Sequence, residues 1–196
     1  IAMRLMAWSL ALLLGFATCA TLRHRYDLAQ LALFDPLTRL PNRRHFEQNL
    51  SQTLERRRKS DARHCALLFI DLDRFKTVND TFGHKAGDAV LQVVAERVRR
   101  EMRAGDTIGR WGGDELVAVV DETDDEALAA LQARLTAAIS LPIDWEGQQL
   151  RIGVSIGSAI YPQDGSDARA LFKVADARMY DEKQRHYHPA AVPRQV

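Results

Sequence analysis

The chain has 196 residues, 46% apolar and 27% charged, a composition that fits one folded domain plus a short appendage and excludes a disordered chain. Net charge is only +1 but uneven: residues 1–63 carry 11 Lys/Arg against 5 Asp/Glu, while 64–196 carry 16 against 21. A mildly acidic body is not a duplex-binding surface, so no nucleic-acid partner is expected. The two cysteines, Cys19 and Cys65, lack zinc-site or disulfide-framework spacing and read as buried apolar side chains in a reducing compartment.

Residues 5–22, "LMAWSLALLLGFATCATL", are uncharged over 18 positions, between Arg4 and the cluster Arg23, His24 and Arg25. This reads as a transmembrane helix within residues 1–22, although a signal peptide or a buried core helix shares the composition. The first residue is Ile, which suggests a fragment and makes this the last span of a truncated membrane region. The positive cluster after the span predicts an inner-membrane protein whose following domain lies in the cytoplasm. Residues 23–34, with Leu28, Leu31, Ala32 and Phe34 at helical spacing, form a predicted helical linker.

A mixed pattern follows over 35–187, with 188–196 as a flexible tail. "PNRRHFEQNLSQTLERRRKS" predicts a helix with Asn42 as cap and Phe46, Leu50 and Leu54 on its inner face. "CALLFIDLD" predicts a buried strand. "RFKTVNDTFG" and "HKAGDAVLQVVAERVRREMR" predict two helices broken at Gly83, the second with Val90, Val94 and Val98 on one stripe. "TIGRW" and "ELVAVV" predict strands flanking Gly112 and Gly113, and "DEALAALQARLTAAIS" a helix. "RIGVSIGSAIY" alternates like a strand, and "DARALFKVADARMYDEKQ" predicts a last helix. Strands alternating with helices around one hairpin predict an α+β sandwich.

Four places carry residues suited to chemistry. The "FIDLD" strand delivers Asp71 and Asp73 to a sheet edge on one side, with the Leu72 carbonyl between them, and hard cations take oxygen ligands of this kind. Acids at a strand end also commonly cap helices or face solvent. In "RWGGDEL" two glycines suit an ordinary hairpin, but they also clear space for phosphates beside Asp114 and Glu115. If this hairpin pairs beside the "FIDLD" strand, Asp114 joins Asp71 at one metal site. In "FKTVNDTFGHKAGD", Lys76 offers charge to a phosphate, and Asn79, His84 and Asp88 offer polar groups to a base edge. Guanine presents two adjacent donors that suit a carboxylate, and adenine presents no such pair. Finally "RAGD" places Arg103 and Asp106 at a helix end, where an ion pair is as good a reading as a ligand site.

Together, "DPLTRLPNRRHF", "IDLDRFKTVNDTFGHKAGDAVL", "GRWGGDEL", "VSIGSAIYPQDG" and "ADARMYDEK" resemble the GGDEF family of diguanylate cyclases over residues 35 to about 185. The resemblance implies a palm-like nucleotidyl cyclase fold with a mainly antiparallel sheet flanked by helices. It implies condensation of two GTP into cyclic di-GMP plus pyrophosphate, each subunit of a homodimer presenting one GTP. It also assigns Mg²⁺ (or Mn²⁺) to Asp71, the Leu72 carbonyl and Asp114, with Glu115 in support. Asp114 is the family's candidate proton acceptor as well, but holding a cation weakens a carboxylate as a base, so the metal role ranks first. Asn79, His84 and Asp88 are implied to read guanine, with Gly112 and Gly113 admitting the phosphates that Lys76 and Lys183 contact. Arg103 and Asp106 match the family's R-x-x-D site for inhibition by cyclic di-GMP.

Three positions depart from the family pattern. Leu116 replaces Phe in the signature, Arg39 replaces a usual Gly, and His186 and Tyr187 follow Lys183 where glycine and arginine are usual, with Arg185 as the substitute for the missing arginine. The alternatives are a catalytically inactive module that binds GTP or cyclic di-GMP as a signalling receptor, and a single-nucleotide or mixed-dinucleotide cyclase.

Overall fold

The computed structural model describes residues 33–59, 64–121 and 123–187. Helix α1, Arg43–Arg58, starts where the Asn42 side chain accepts a hydrogen bond from the His45 N–H, which satisfies one of the helix's orphan donors. Phe46, Leu50 and Leu54 are buried, as their spacing predicts. Strand β1, Cys65–Asp73, runs to α2, Phe75–Phe82, which stops at Gly83 (φ 83°) before α3, His84–Glu101. Strands β2, Thr107–Gly112, and β3, Glu115–Asp121, form the expected hairpin. Helix α4, Asp125–Ile139, is capped by Asp124. After β4, Ile143–Trp145, and β5, Gln148–Leu150, come β6, Gly153–Tyr161, and α5, Ala168–Tyr187.

Four strands make one antiparallel sheet in the order β2-β3-β1-β6. Strand β1 lies inside it and is buried on both faces, so it reads as an unbroken apolar run rather than an alternation. Its even residues, Ala66, Leu68, Ile70 and Leu72, face a cluster that includes Val90, Val94 and Val98 of α3 and Leu128, Leu131 and Leu135 of α4. Its odd residues Cys65, Leu67 and Phe69 face Phe46 and Leu50 of α1 and Leu171, Ala175 and Met179 of α5. Each fully buried aliphatic side chain stabilises this packing by roughly 1.5–3 kcal/mol. Cys65 lies in the second cluster, its thiol pushed up to about 11 by burial and by the nearby charge of Asp121; Cys19 lies outside the described residues.

The sheet-and-helix architecture agrees with the expected α+β class, with one addition. Strands β4 and β5 form a separate two-stranded hairpin turning at Glu146 (φ 47°) and Gly147 (φ 80°). Consecutive positive φ values are what such a short turn requires.

The expected membrane location is corrected. No helix among the described residues is long and apolar enough to cross a membrane. The 20-residue helix α5 has the length but is broken up by Arg169, Lys173, Asp176, Arg178 and Asp181, whereas a span needs about 20 mostly apolar residues. The predicted span over 5–22, most of the linker 23–34 and the tail 188–196 lie outside the described residues.

Candidate active site

The antiparallel register of β1 and β3 sets Asp71 opposite Glu115, and the Leu72 N–H donates to the Asp114 carbonyl at 3.4 Å. The hairpin therefore lies beside the "FIDLD" strand, and its turn brings Asp114 and Glu115 to the end of β1. Gly113 sits at the turn with φ 47°, a conformation that costs glycine nothing and other residues about 1–2 kcal/mol. A register shift at Trp111 bulges β2 just before Gly112 and turns the Trp111 ring onto Phe172, at 4.4 Å between centroids, with the Arg43 guanidinium 4.2 Å from its centre.

On this acidic edge Lys183 of α5 reaches Asp71, Nζ to Oδ1 2.5 Å, with the Asp71 side chain 8% exposed. The pair is unequal. Burial acts against the Lys183 ammonium, but Asp71 overrides it and leaves Lys183 above its ordinary value. Asp71 is also raised, because burial together with the charges of Asp114 and Asp73 outweighs the single ammonium. Glu115 is raised by burial and then by Asp71, Asp114 and Asp176. Five carboxylates near one lysine leave surplus negative charge, which disfavours ionisation until a cation arrives. A cleft of about 460 Å³ opens here, lined by Asp71, Glu115, Asp176, Tyr180 and Lys183.

Among the described residues no three His, Cys, Asp or Glu side chains form a ready-made metal cage. Mg²⁺ does not need one, since it keeps waters and uses one or two carboxylates plus substrate phosphates. Asp71 and Asp114, with the Leu72 carbonyl between the paired strands, fit such a donor set. Asp73 is committed elsewhere: its Oδ1 accepts from Ser155 Oγ at 2.7 Å and its Oδ2 lies 2.9 Å from His186 Nδ1.

Asn79 is on α2, where its Oδ1 occupies the space a Cβ at Gly87 would need, so the α2–α3 pair packs through that glycine. Asp88 follows Gly87 on α3, and Lys76, His84 and Asp88 are exposed. Arg103 and Asp106 lie together after α3, but as a turn: Asp106 Oδ2 accepts from the Arg103 N–H at 2.9 Å and Oδ1 from the Asp121 N–H at 3.2 Å. Arg185 is exposed and bonds the Asp181 carbonyl of its own helix at 3.3 Å.

Two residues that hold the hairpin were not picked out from the sequence. Arg110 donates to the Gly113 carbonyl from Nε (3.1 Å) and Nη2 (2.8 Å), and its Nη1 bonds both oxygens of Asp35 at 3.1 Å. Asp35 also accepts from the Thr38 N–H and hydroxyl. Burial works to raise Asp35, but the Thr38 and Arg110 hydrogen bonds win and hold it below its ordinary value. The signal was "DPLT" with an arginine before the double glycine, but only folding brings these 75 positions together.

A family model described as "Diguanylate cyclase, GGDEF domain" matches residues 32–188. The chain belongs to the GGDEF family. Among relatives, it is 45% identical over 161 residues to the bifunctional diguanylate cyclase/cyclic di-GMP phosphodiesterase MucR of Pseudomonas aeruginosa, covering 82% of this chain and 23% of that protein. Its fold is similar to a GGDEF-domain structure of TpbB (YfiN) from the same species, with TM-score 0.74, 38% identity, and 78% and 89% of the two chains covered. It is also similar to the coiled coil and GGDEF domain of DgcB from Caulobacter crescentus in complex with c-di-GMP, with TM-score 0.75, 27% identity, and 90% and 95% covered. The chain spans only 20% to 24% of the length of the first curated relatives it matches. Within the GGDEF domain, Leu116 at the signature's fifth position is buried with no exposed surface, an environment in which one apolar residue can replace another.

Proposed function

We propose that residues 35–187 are a diguanylate cyclase domain that condenses two GTP into cyclic di-GMP with release of pyrophosphate, each subunit of a homodimer presenting one GTP. The observation that carries this reading is the register that sets Asp71 opposite Glu115, with Asp114 in the glycine turn beside them. Asp71, Asp114 and the Leu72 carbonyl hold Mg²⁺ (or Mn²⁺), which when bound supplies charge stabilisation to the reacting phosphate. Gly112 and Gly113 leave room for the phosphates, and Lys76 and Lys183 offset their charge. Asn79, His84 and Asp88 read guanine through complementary donors and acceptors. Glu115 supports the metal, and Arg103 with Asp106 forms the inhibitory site for the product.

A preparation first checked by light scattering to be dimeric is expected to form cyclic di-GMP and pyrophosphate from GTP and Mg²⁺. No product from that dimer sinks the proposal. It also favours a second reading, an inactive module that binds GTP or cyclic di-GMP, for which the supporting observation is Tyr187 in place of the usual arginine, bonded to Arg74. GTP and ATP in competition separate a guanine-specific cyclase from a mixed one, since equal turnover of both is incompatible with guanine reading by Asn79 and Asp88.

A further inference from the structure

We propose that a second cleft, between α2, the start of β6 and the C-terminal turn of α5, is a binding site for a phosphate-bearing anion. The cleft is about 390 Å³, within the range of small-molecule sites. It is lined by Arg74, Thr77, Phe82, Arg151, His186 and Tyr187 together with Asp73. Tyr187 also lines the acidic cleft of Asp71, Glu115 and Lys183, so one side chain separates a carboxylate-lined cavity from an arginine-lined one.

Arg74 is preorganised. Its backbone is left-handed (φ 59°), its N–H donates to Tyr187 Oη at 3.0 Å, and its guanidinium lies over the Tyr187 ring, 5.4 Å from the centroid. A guanidinium stacked on a ring keeps its edge N–H donors available, and that edge matches two oxygens of a phosphate. Neither Arg74 nor Arg151 is paired with a carboxylate among the described residues. The acid that lines the cleft, Asp73, is answered locally by Ser155 and His186. Gly153 makes that arrangement possible, since a Cβ there would meet Asp73 Oδ2 at 2.9 Å. Two arginines therefore line the cavity, and its one acid, Asp73, is already engaged by Ser155 and His186. Phe82 and Tyr187, 41% and 38% exposed, offer apolar faces on which a flat ring can lie.

The same chemistry suits a free polyphosphate or the phosphate of a nucleotide. The site is independent of the cyclase reading, because binding there requires neither turnover nor a divalent ion. The test is a ¹⁵N NMR titration of the whole 196-residue chain in EDTA, with pyrophosphate in one arm and AMP in the other. Saturable shifts are expected at the amides of Arg74, Thr77 and Gly153, with Gly112 and Gly113 unmoved. Tighter binding of AMP assigns the site to nucleotides, and tighter or equal binding of pyrophosphate assigns it to free polyphosphate. Arg151→Ala is expected to weaken binding at least about tenfold, the usual loss of a charge-assisted contact. Arg151 is exposed and outside every helix and strand, so the melting temperature should not move. Tyr187→Leu, which removes the platform under Arg74, is expected to weaken binding as well. Absence of saturable shifts, shifts centred on Gly112 and Gly113, or an affinity indifferent to Arg151→Ala overturns the proposal.

Discussion

Arg39 adopts φ 59° in the loop before α1, and this explains why glycine is usual there in the family. An L side chain in the left-handed region costs about 1–2 kcal/mol, and glycine gives part of that back in unfolded-state entropy. Arg39→Gly is therefore expected to stabilise the domain by about 1 kcal/mol, read from the urea midpoint. At the R-x-x-D turn the two residues separate. Asp106 bonds two backbone N–H groups, whereas Arg103 is exposed at its surface. Asp106→Ala should cost about 1–2 kcal/mol by leaving those donors unmet. Arg103→Ala should change stability by less than about 0.5 kcal/mol while relieving inhibition by cyclic di-GMP. Unchanged inhibition in Arg103→Ala would reduce the pair to a helix-end turn. The acids at the end of β1 differ in the same way, since Asp71 faces Lys183 and Asp73 is held by Ser155 and His186.

Between elements, two glycines set how close backbones come. At Gly157 of β6 a Cβ would collide with the Ala175 carbonyl and the Met179 N–H of α5. That contact is main chain and has nowhere to move, so Gly157→Ala should cost about 3 kcal/mol or more and shift the whole unfolding transition. Because α5 carries Lys183, activity should fall with it. Gly87→Ala meets the end of a side chain instead, Asn79 Oδ1, which can rotate. It should cost only about 1–2 kcal/mol but should raise the KM for GTP more than it lowers kcat, since Asn79 is displaced. An equal fall in kcat with KM unchanged would contradict a base-reading role for Asn79.

Across the whole molecule, pH acts on two groups of carboxylates with opposite sign. Asp35, held by Thr38 and Arg110, and Asp164, held chiefly by Arg178 against a smaller effect of burial, both lie below their ordinary values. Their contribution to stability is complete above the unfolded value, near 3.8, and is lost as pH falls through the lower folded values. Asp71 and Glu115 lie above theirs, so their ionisation costs stability as pH rises through the folded values. Stability is expected to peak in the weakly acidic range and drop steeply below about pH 4. The urea midpoint across pH should show this, and Arg110→Gln should flatten the acid limb.

The unbroken apolar run of "CALLFIDLD", the Val90, Val94 and Val98 stripe, the Asn42 cap and the double glycine are local properties, each carrying its own physical signature. Residue order alone was therefore enough to place the helices, the hairpin and the candidate acids. Other features depend on which side chain meets which after folding. These are the Asp35–Arg110 clamp on the Gly113 carbonyl, the commitment of Asp73 to Ser155 and His186, and the Tyr187 platform under Arg74. The small β4–β5 hairpin was not predicted, because its strands have only three residues each, too few for alternation to show. Order along the chain fixes backbone preferences and burial, whereas partners separated by 75 to 113 positions are chosen only when the sheet register and the α5 packing bring them within hydrogen-bond distance.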